Sequence, residues 1–185
     1  INLNAEYAPT AQEVMLLGYT AVHTSGGNGV AGGSAGYIEI ENDYGYDENG
    51  YYFGGGVVSY VDLFANGGTG TTGVGGDGGG IDMYASDYYH YMVADTMRVI
   101  NYGHIEANGG HGSSGGSARY IELWGTQGVE SHGDLTANGG DALDAAGSPG
   151  EGAEIRVIAD FSLAINVGTL TANGGHALEA GGIGA

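Results

Sequence analysis

The chain has 185 residues, of which 41 are glycine and only two are proline, and its formal net charge is −19. Twenty-two acidic residues against three basic ones argue against a nucleic-acid partner and against an anionic membrane surface, because phosphate groups would be repelled. Cysteine is absent, which excludes a disulfide framework, and no apolar run approaches the roughly 20 residues that a membrane-spanning helix needs.

The first segment of the chain, residues 1–17, lacks the glycine-rich pattern that follows it. It reads INLNAEYAPTAQEVMLL. We predict that this segment either caps a repeat array or supplies a strand to a neighbouring copy of the chain. Residues 18–185 form the predicted repeat domain, which ends in an open coil.

A short apolar strand followed by Asn-Gly-Gly recurs along the repeat domain. The copies read VDLFANGG from 61, HIEANGG from 104, DLTANGG from 134 and TLTANGG from 169, with a weaker copy, VHTSGGNG, from 22. Alternate residues of each strand would point inward, so that an aliphatic residue and then an alanine form columns from copy to copy. The unequal spacing of the copies indicates a fixed scaffold with loops of different length.

The Asn-Gly-Gly motif predicts a sharp turn out of the strand. We expect positive φ at these residues, since asparagine and glycine adopt it at little cost. The asparagines would then stack from coil to coil, with their side-chain amides bonded to one another. The predicted ladder consists of Asn66, Asn108, Asn138 and Asn173.

Two further strands complete each predicted repeat. The second strand reads YIEIE from 37, GIDMYA from 80, YIELWG from 120 and EIRVIAD from 154. The third strand is less regular and is predicted near VVSYV at 57, YMVAD at 91, GVESH at 128 and LAINV at 163. Three short strands per repeat, stacked about 4.8 Å apart, describe an all-β, single-stranded parallel β-helix (β-solenoid) of about five coils. A β-sandwich with glycine-rich turns is the alternative fold.

The ANGG motif, the glycine-rich loop after it and the following YIEL strand resemble the glycine-rich right-handed β-helix repeats of bacterial surface and secreted proteins. Autotransporter passengers and filamentous adhesins are the most similar kinds. The resemblance covers residues 18–185 and lies in the style of the repeat, so it carries over no catalytic residue. It implies an extracellular or cell-surface location.

Two groups of residues carry metal-binding chemistry. The loop NDYGYDENG offers oxygen ligands suited to Ca²⁺ at alternating positions, namely Asp43, Asp47 and Asn49. Coils stacked in register would also align a column of transition-metal ligands, namely His111, Asp141 and His176. An ordinary polar loop and a column that merely faces water are the respective alternatives.

The outer face of the second strand places acidic residues one coil apart. Glu39, Asp82 and Glu122 follow one another there, and Arg156 comes next. Like charges at this spacing oppose folding. Arg156 would neutralise Glu122, whereas the sequence offers no partner for Glu39 and Asp82, which favours a bridging cation. Separately hydrated carboxylates are the alternative.

Tyrosine is the second unusual feature, with 14 residues in the chain beside one tryptophan. An exposed aromatic patch would suit sugar stacking or protein packing, because each ring is apolar and each hydroxyl can bond. The contact candidates are Tyr51, Tyr52, Tyr84, Tyr88, Tyr89 and Trp124. The alternative is that the long insertions cover their own rings.

The final repeat, GHALEAGGIGA, has a glycine-rich loop but no second strand after it. An open coil is a template for another chain, and head-to-tail contacts give open filaments. We therefore expect a non-enzymatic extracellular structural protein whose copies stack into a fibre, with a fragment of a longer protein as the other interpretation. The alternative functions are a carbohydrate-binding adhesin and, less favoured, a polysaccharide lyase or glycoside hydrolase. The acidic cluster considered for catalysis is Asp82, Asp87, His90 and Asp95.

Overall fold

The computed structural model describes residues 1–5, 14–18, 20–43, 45–46, 52–86 and 96–177. All regular secondary structure in these ranges is β-strand. The chain winds through three sheets in turn, coil after coil, and the strands within each sheet are parallel. This arrangement confirms the predicted parallel β-helix of about five coils and excludes the β-sandwich.

Each coil contributes one strand to each of three five-stranded sheets, named A, B and C. Sheet A contains β1 (Asn2–Ala5), β4 (Ile38–Asp43), β9 (Ile81–Ser86), β12 (Ile121–Gly125) and β15 (Ile155–Ala159). Sheet B contains β2 (Val14–Leu16), β7 (Val57–Ser59), β10 (Arg98–Asn101), β13 (Gly128–Ser131) and β16 (Ala164–Asn166). Sheet C contains β3 (Val22–His23), β8 (Leu63–Phe64), β11 (Ile105–Glu106), β14 (Leu135–Thr136) and β17 (Leu170–Thr171). A separate antiparallel pair is formed by β5 (Gly45–Tyr46) and β6 (Tyr52–Phe53).

The core is built from inward columns that run along the helix axis. The isoleucines that begin each second strand are direct partners across sheet A, as are the aliphatic residues two positions later. The first column is Ile38, Ile81, Ile121 and Ile155, and the second is Ile40, Met83, Leu123 and Val157. Both predicted columns are confirmed. In the three middle coils their side chains are fully buried, which removes apolar surface from water at every level of the stack.

The third strand of the middle coil is Arg98–Asn101 and not the YMVAD stretch predicted at 91–95, which lies outside the described residues. Val99 decides the position, because it pairs with Val57 on one side and with Val129 on the other. All three valines are fully buried. The inward aliphatic column of sheet B thus selects the strand.

Residues of the N-terminal segment form two strands of the chain's own helix. Leu3 of β1 pairs with Ile40, and Val14 of β2 pairs with Val57. Residues 6–13 lie outside the described part of the chain. The segment therefore extends the helix by part of a coil, and its alternative role, as a strand supplied to another copy, stays a prediction.

Between sheets C and A, the chain leaves the helix in glycine-rich arms that stack on one another. Backbone hydrogen bonds join the outgoing limb of one arm to the returning limbs beside it. Gly68 N donates to Gly33 O at 2.8 Å, Gly76 N donates to Gly68 O at 2.9 Å, and Gly110 N donates to Gly76 O at 2.8 Å. The limbs approach so closely that a Cβ atom at Gly68 would overlap the carbonyl oxygen of Gly27.

This close packing corrects the predicted reason for the Gly-Gly pairs. Among the described glycines, only Gly128 has positive φ, at 148°. The expectation of positive φ at the glycines of the motif is therefore wrong. In the inner coils, they are glycines because the backbones of neighbouring limbs leave no room for a side chain.

Candidate functional site

The carboxylate column on the outer face of sheet A is present as predicted. In-register pairing places Asp82 between Glu39 and Glu122. Both ends of the column meet a neutralising or donating group. Asn2 Nδ2 donates to Glu39 Oε2 at 2.6 Å, and Arg156 Nη1 lies 3.6 Å from Glu122 Oε2. The predicted contact of Arg156 is confirmed, and the expectation that Glu39 lacks a partner is wrong, because β1 brings Asn2 beside it.

Asp82, in the middle of the column, is only 1% exposed. The Tyr120 hydroxyl donates to Asp82 Oδ2 at 3.1 Å, and the Tyr37 and Tyr120 hydroxyls lie 2.7 Å apart. Gly80 permits this meeting of rings across two coils, because a Cβ there would lie 2.7 Å from the Tyr37 ring. The expectation that Asp82 has no partner is therefore wrong as well, although its buried Oδ1 has no hydrogen-bond partner among the described residues.

Burial is the main cause of the raised pKa values at this site. It raises the pKa of Asp82 to about 6, while the Tyr120 hydrogen bond acts in the opposite direction and the charge of Glu122 adds to the rise. Burial, followed by the charge of Asp82, also raises the pKa of Tyr120 and Tyr84 to about 12. Both phenols are thus neutral at physiological pH, and Asp82 exchanges a proton near pH 6.

Burial also bears on the enzymatic alternative. Of the acidic cluster considered for catalysis, only Asp82 lies within the described residues. A carboxylate that is 1% exposed does not reach a polymeric substrate. A catalytic acid or base must come within hydrogen-bonding distance of the reacting atom.

Two of the predicted aromatic contacts lie beside the carboxylate column. The Tyr84 and Trp124 rings meet edge to face with their centroids 5.7 Å apart, as expected for neighbours on adjacent coils. Trp124 Nε1 donates to Asp160 Oδ2 at 3.0 Å. The candidates outside the description are Tyr51, Tyr88, Tyr89 and the side chain of Tyr52.

The predicted His-Asp-His column lies on the stacked arms. Asp141 N donates to His111 Nδ1 at 2.9 Å, and His176 N donates to Asp141 Oδ1 at 2.7 Å. The side chains of His111 and Asp141 therefore each accept a hydrogen bond from a backbone N–H of the following coil. In the described ranges, no three His, Asp or Glu side chains form a group that could hold a metal ion. Of the predicted Ca²⁺ loop, Asp43 lies in β4, while Asp47 and Asn49 fall outside the description.

The predicted asparagine ladder is present but is bonded differently. Asn66 Oδ1 accepts from Asn108 N at 2.9 Å, Asn108 Oδ1 from Asn138 N at 2.8 Å, and Asn138 Oδ1 from Asn173 N at 2.8 Å. The expectation that the side-chain amides bond to one another is wrong. The side chains instead satisfy backbone donors that point along the axis where strand pairing stops. Asn66 Nδ2 donates to Glu106 Oε2 at 2.6 Å.

Sequence reasoning missed an aromatic ridge at the corner between sheets B and C. Tyr60 stacks on Tyr102, and Tyr102 on His132, with ring centroids 4.8 Å apart in both pairs. Leu17 and Val167 continue the ridge on either side and are 69% and 67% exposed. The signal was the apolar or aromatic residue directly after each third strand. Because the rings stack along the axis, they present their edges to solvent, which does not suit a sugar platform.

The two ends of the described helix expose core positions. Leu170 on β17 is 48% exposed, whereas its in-register partner Leu135 and the equivalent Leu63 are fully buried. In the described part of the chain, β15, β16 and β17 pair on one side only, and so do β1, β2 and β3. Each end is thus an unpaired edge of all three sheets.

Comparisons with known proteins identified no relative of this chain. No family model matches the chain, and searches of curated proteins and of solved structures found no match. The described residues contain no helix that is long and apolar enough to cross a membrane. The fold is therefore assigned from its own strand pairing, and the function is inferred from the surfaces described above.

Proposed function

We propose that this protein is a non-enzymatic structural subunit of an extracellular or cell-surface fibre, in which copies stack end to end along the helix axis. The observation that carries the proposal is that both ends of the described helix are edges of the same three sheets. β15, β16 and β17 form one end, and β1, β2 and β3 form the other. Unpaired edges of this kind are templates for further strand pairing.

The polarity of the strands supports a head-to-tail joint. A second copy moved along the axis would bring its β1 to β15, its β2 to β16 and its β3 to β17. Every new pair would be parallel, like the pairs within the chain. Such a contact does not close on itself, so it produces an open filament.

Burial and charge both favour the ends over the sides. Another coil on the last one would cover Leu170, as Leu135 is covered in the inner coils, and would remove apolar surface from water. Lateral contact would bring two chains of net charge −19 together along their acidic faces. At the ends, the column of sheet A would place Asn2 of one copy beside Arg156 of the other, with no like charges opposed.

A glycine at the first coil allows a sharp test. Gly27 begins a column in which a Cβ atom at each later glycine would overlap the carbonyl oxygen of the preceding one; the later members are Gly68, Gly110, Gly140 and Gly175. A Cβ at Gly27 itself meets nothing within 4 Å. In a joint, it would meet the Gly175 carbonyl of the preceding copy.

We expect Gly27→Ala to fold like the wild type and to remain monomeric under conditions in which the wild type forms fibres. Sedimentation velocity and negative-stain electron microscopy would measure assembly, and circular dichroism would check the fold. Thr136→Ala, at the equivalent outer-face position of an inner coil, is the matched control and should assemble normally. A wild type that stays monomeric at all concentrations, or a Gly27→Ala variant that assembles like it, would contradict the proposal.

Carbohydrate binding is a second candidate function. The Tyr84–Trp124 pair lies on the same face as a cavity of about 260 Å³ that is lined by Tyr120, Glu122, Glu154 and Arg156. Aromatic rings beside polar side chains suit a sugar. Binding to a glycan panel that Trp124→Ala abolishes would support it. A panel without any binding, or binding unchanged by the substitution, would exclude this face as a sugar site.

A further inference from the structure

The ladders on the arms have one direction along the axis. In each ladder, a side chain accepts a hydrogen bond from a backbone N–H of the following coil. The first ladder starts at Ser25, whose Oγ accepts from Asn66 N at 3.3 Å, and reaches Asn173, whose N–H donates to Asn138 Oδ1. Its acceptors thus always face the last coil, and its donors always face the first.

A second ladder runs parallel to it, three residues further along each arm. Asn28 Oδ1 accepts from Thr69 N at 2.7 Å, His111 Nδ1 from Asp141 N, and Asp141 Oδ1 from His176 N. Among the described residues, no side-chain hydrogen bond joins Thr69 to His111, so this ladder is interrupted between the second and third coils. The direction is the same as in the first ladder. In every arm, the residue of the second ladder therefore lies three positions after the residue of the first.

The first coil presents the donors of both ladders outward. Thr24 N and Gly26 N donate to Phe64 O and Asn66 O of the second coil, so the Ser25 N–H between them points the opposite way. Gly29 N donates to the second coil in the same manner, which leaves the Asn28 N–H directed off the first coil. In the part of the chain that the structure describes, neither N–H has an acceptor.

The last coil presents the matching acceptors. The side chains of Asn173 and His176 accept no hydrogen bond within the described ranges. These two residues are three positions apart, as are Ser25 and Asn28 at the other end and Asn108 and His111 in the middle. Two acceptors at one end thus have the spacing of two donors at the other.

We propose that Asn173 and His176 of one copy accept hydrogen bonds from the Ser25 and Asn28 backbone N–H groups of the next copy, so that both ladders continue through the joint. The inference rests on the proposed function and names its partner, a second copy of this chain. The ladders would fix the axial register of the joint and would allow only the head-to-tail direction. An inverted copy would bring acceptor to acceptor.

Two pairs of variants test this inference in sedimentation velocity over a range of concentrations. Ser25→Pro removes the N–H, whereas Ser25→Ala keeps it and loses only the hydroxyl. Asn173→Ala removes an acceptor, and Thr136→Ala, on the outer face of the preceding coil, is its control. We expect Ser25→Pro and Asn173→Ala each to raise the concentration at half-assembly by about fivefold, the effect of one neutral hydrogen bond. The two controls should stay within about twofold of the wild type.

The outcomes separate the inference from the proposed function. A monomeric wild type would overturn both. A wild type that assembles, together with Ser25→Pro and Asn173→Ala variants that assemble equally well, would overturn the ladder joint alone. Thermal melts would check that each variant is folded. If Ser25→Pro is unfolded, the comparison of Asn173→Ala with Thr136→Ala decides the matter.

Discussion

The sheets and the glycine-rich arms stack with the same spacing, but different parts of the chain hold them together. In the coils, buried aliphatic side chains such as Ile81 and Leu135 fill the interior that the three sheets enclose. In the arms, the backbones of neighbouring limbs pack directly on one another through hydrogen bonds between glycines such as Gly68 and Gly76, and side chains are excluded. Removing side-chain atoms should therefore destabilise the sheets, whereas adding side-chain atoms should destabilise the arms.

The largest expected effect is an added methyl group in an arm. Gly110→Ala places a Cβ on the carbonyl oxygen of Gly68, so the arm must separate and lose hydrogen bonds. We expect a loss of about 4 kcal/mol in the free energy of unfolding, comparable with a severe core substitution. Chemical denaturation at monomer concentrations would measure it. Gly27→Ala should change stability by less than about 0.5 kcal/mol, and equal losses in both variants would contradict the close packing.

Loss of atoms from a sheet is the second way to test the comparison. Leu135→Ala leaves a cavity in the inner column of sheet C and should cost about 3 kcal/mol. Leu170→Ala makes the same chemical change on the last coil, where the side chain is 48% exposed, and should cost about 1 kcal/mol. Denaturation of both variants as monomers would show whether stability declines toward the open edge. Similar losses would mean that the last coil is covered.

The buried carboxyl group of Asp82 on sheet A makes the stability of the fold depend on pH. Because the pKa of Asp82 in the folded protein, about 6, lies above its ordinary value of 3.8, the folded state retains a proton that the unfolded state releases. Its contribution to stability therefore falls as pH rises from about 4 to 6 and stays low above that range. Asp82→Asn should gain about 3 kcal/mol at pH 7.5 and nothing at pH 3.5.

Thermal melts of the wild type and Asp82→Asn across this pH range would measure the gain. Asp77→Asn removes one negative charge from an exposed position on an arm and serves as the control. At pH 7.5, Asp82→Asn should gain more stability than Asp77→Asn. If the Asp82→Asn difference were flat with pH, the carboxyl group would have an ordinary pKa in the folded protein.

The smallest expected effect lies in the ladder between arms and sheets. Asn108→Ala removes the acceptor of Asn138 N and should cost about 1 kcal/mol, the value of one hydrogen bond with its donor left unsatisfied. Asn108→Asp keeps an acceptor oxygen and should retain most of the stability. Hydrogen exchange at Asn138 would report the same bond directly. Unchanged exchange in Asn108→Ala would contradict the ladder.

The sheets could be predicted from the sequence because burial appears in it as alternating aliphatic residues. Ile38, Ile81 and Ile121 were expected to be neighbours, and they are. The arms were located correctly, but the reason for their glycines was wrong. A glycine required by close backbone packing and one required by positive φ look the same in a sequence, and only coordinates separate them.

The candidate site was predictable to the extent that it depends on register. The neighbours Glu122 and Arg156 follow directly from the repeat. The burial of Asp82 does not, because it depends on Tyr37 and Tyr120 reaching over Gly80 from the coils on either side. The Tyr60–Tyr102 ridge was missed because its residues follow the least regular of the three strands.

A cryo-electron microscopy reconstruction of assembled wild-type protein would show directly how neighbouring copies are joined. We expect a single file of subunits with strands perpendicular to the fibre axis. We also expect an axial rise of about 24 Å per subunit, from five coils at the usual strand spacing. Fibres in which subunits pack side by side, or in which successive subunits face opposite directions, would contradict the head-to-tail joint.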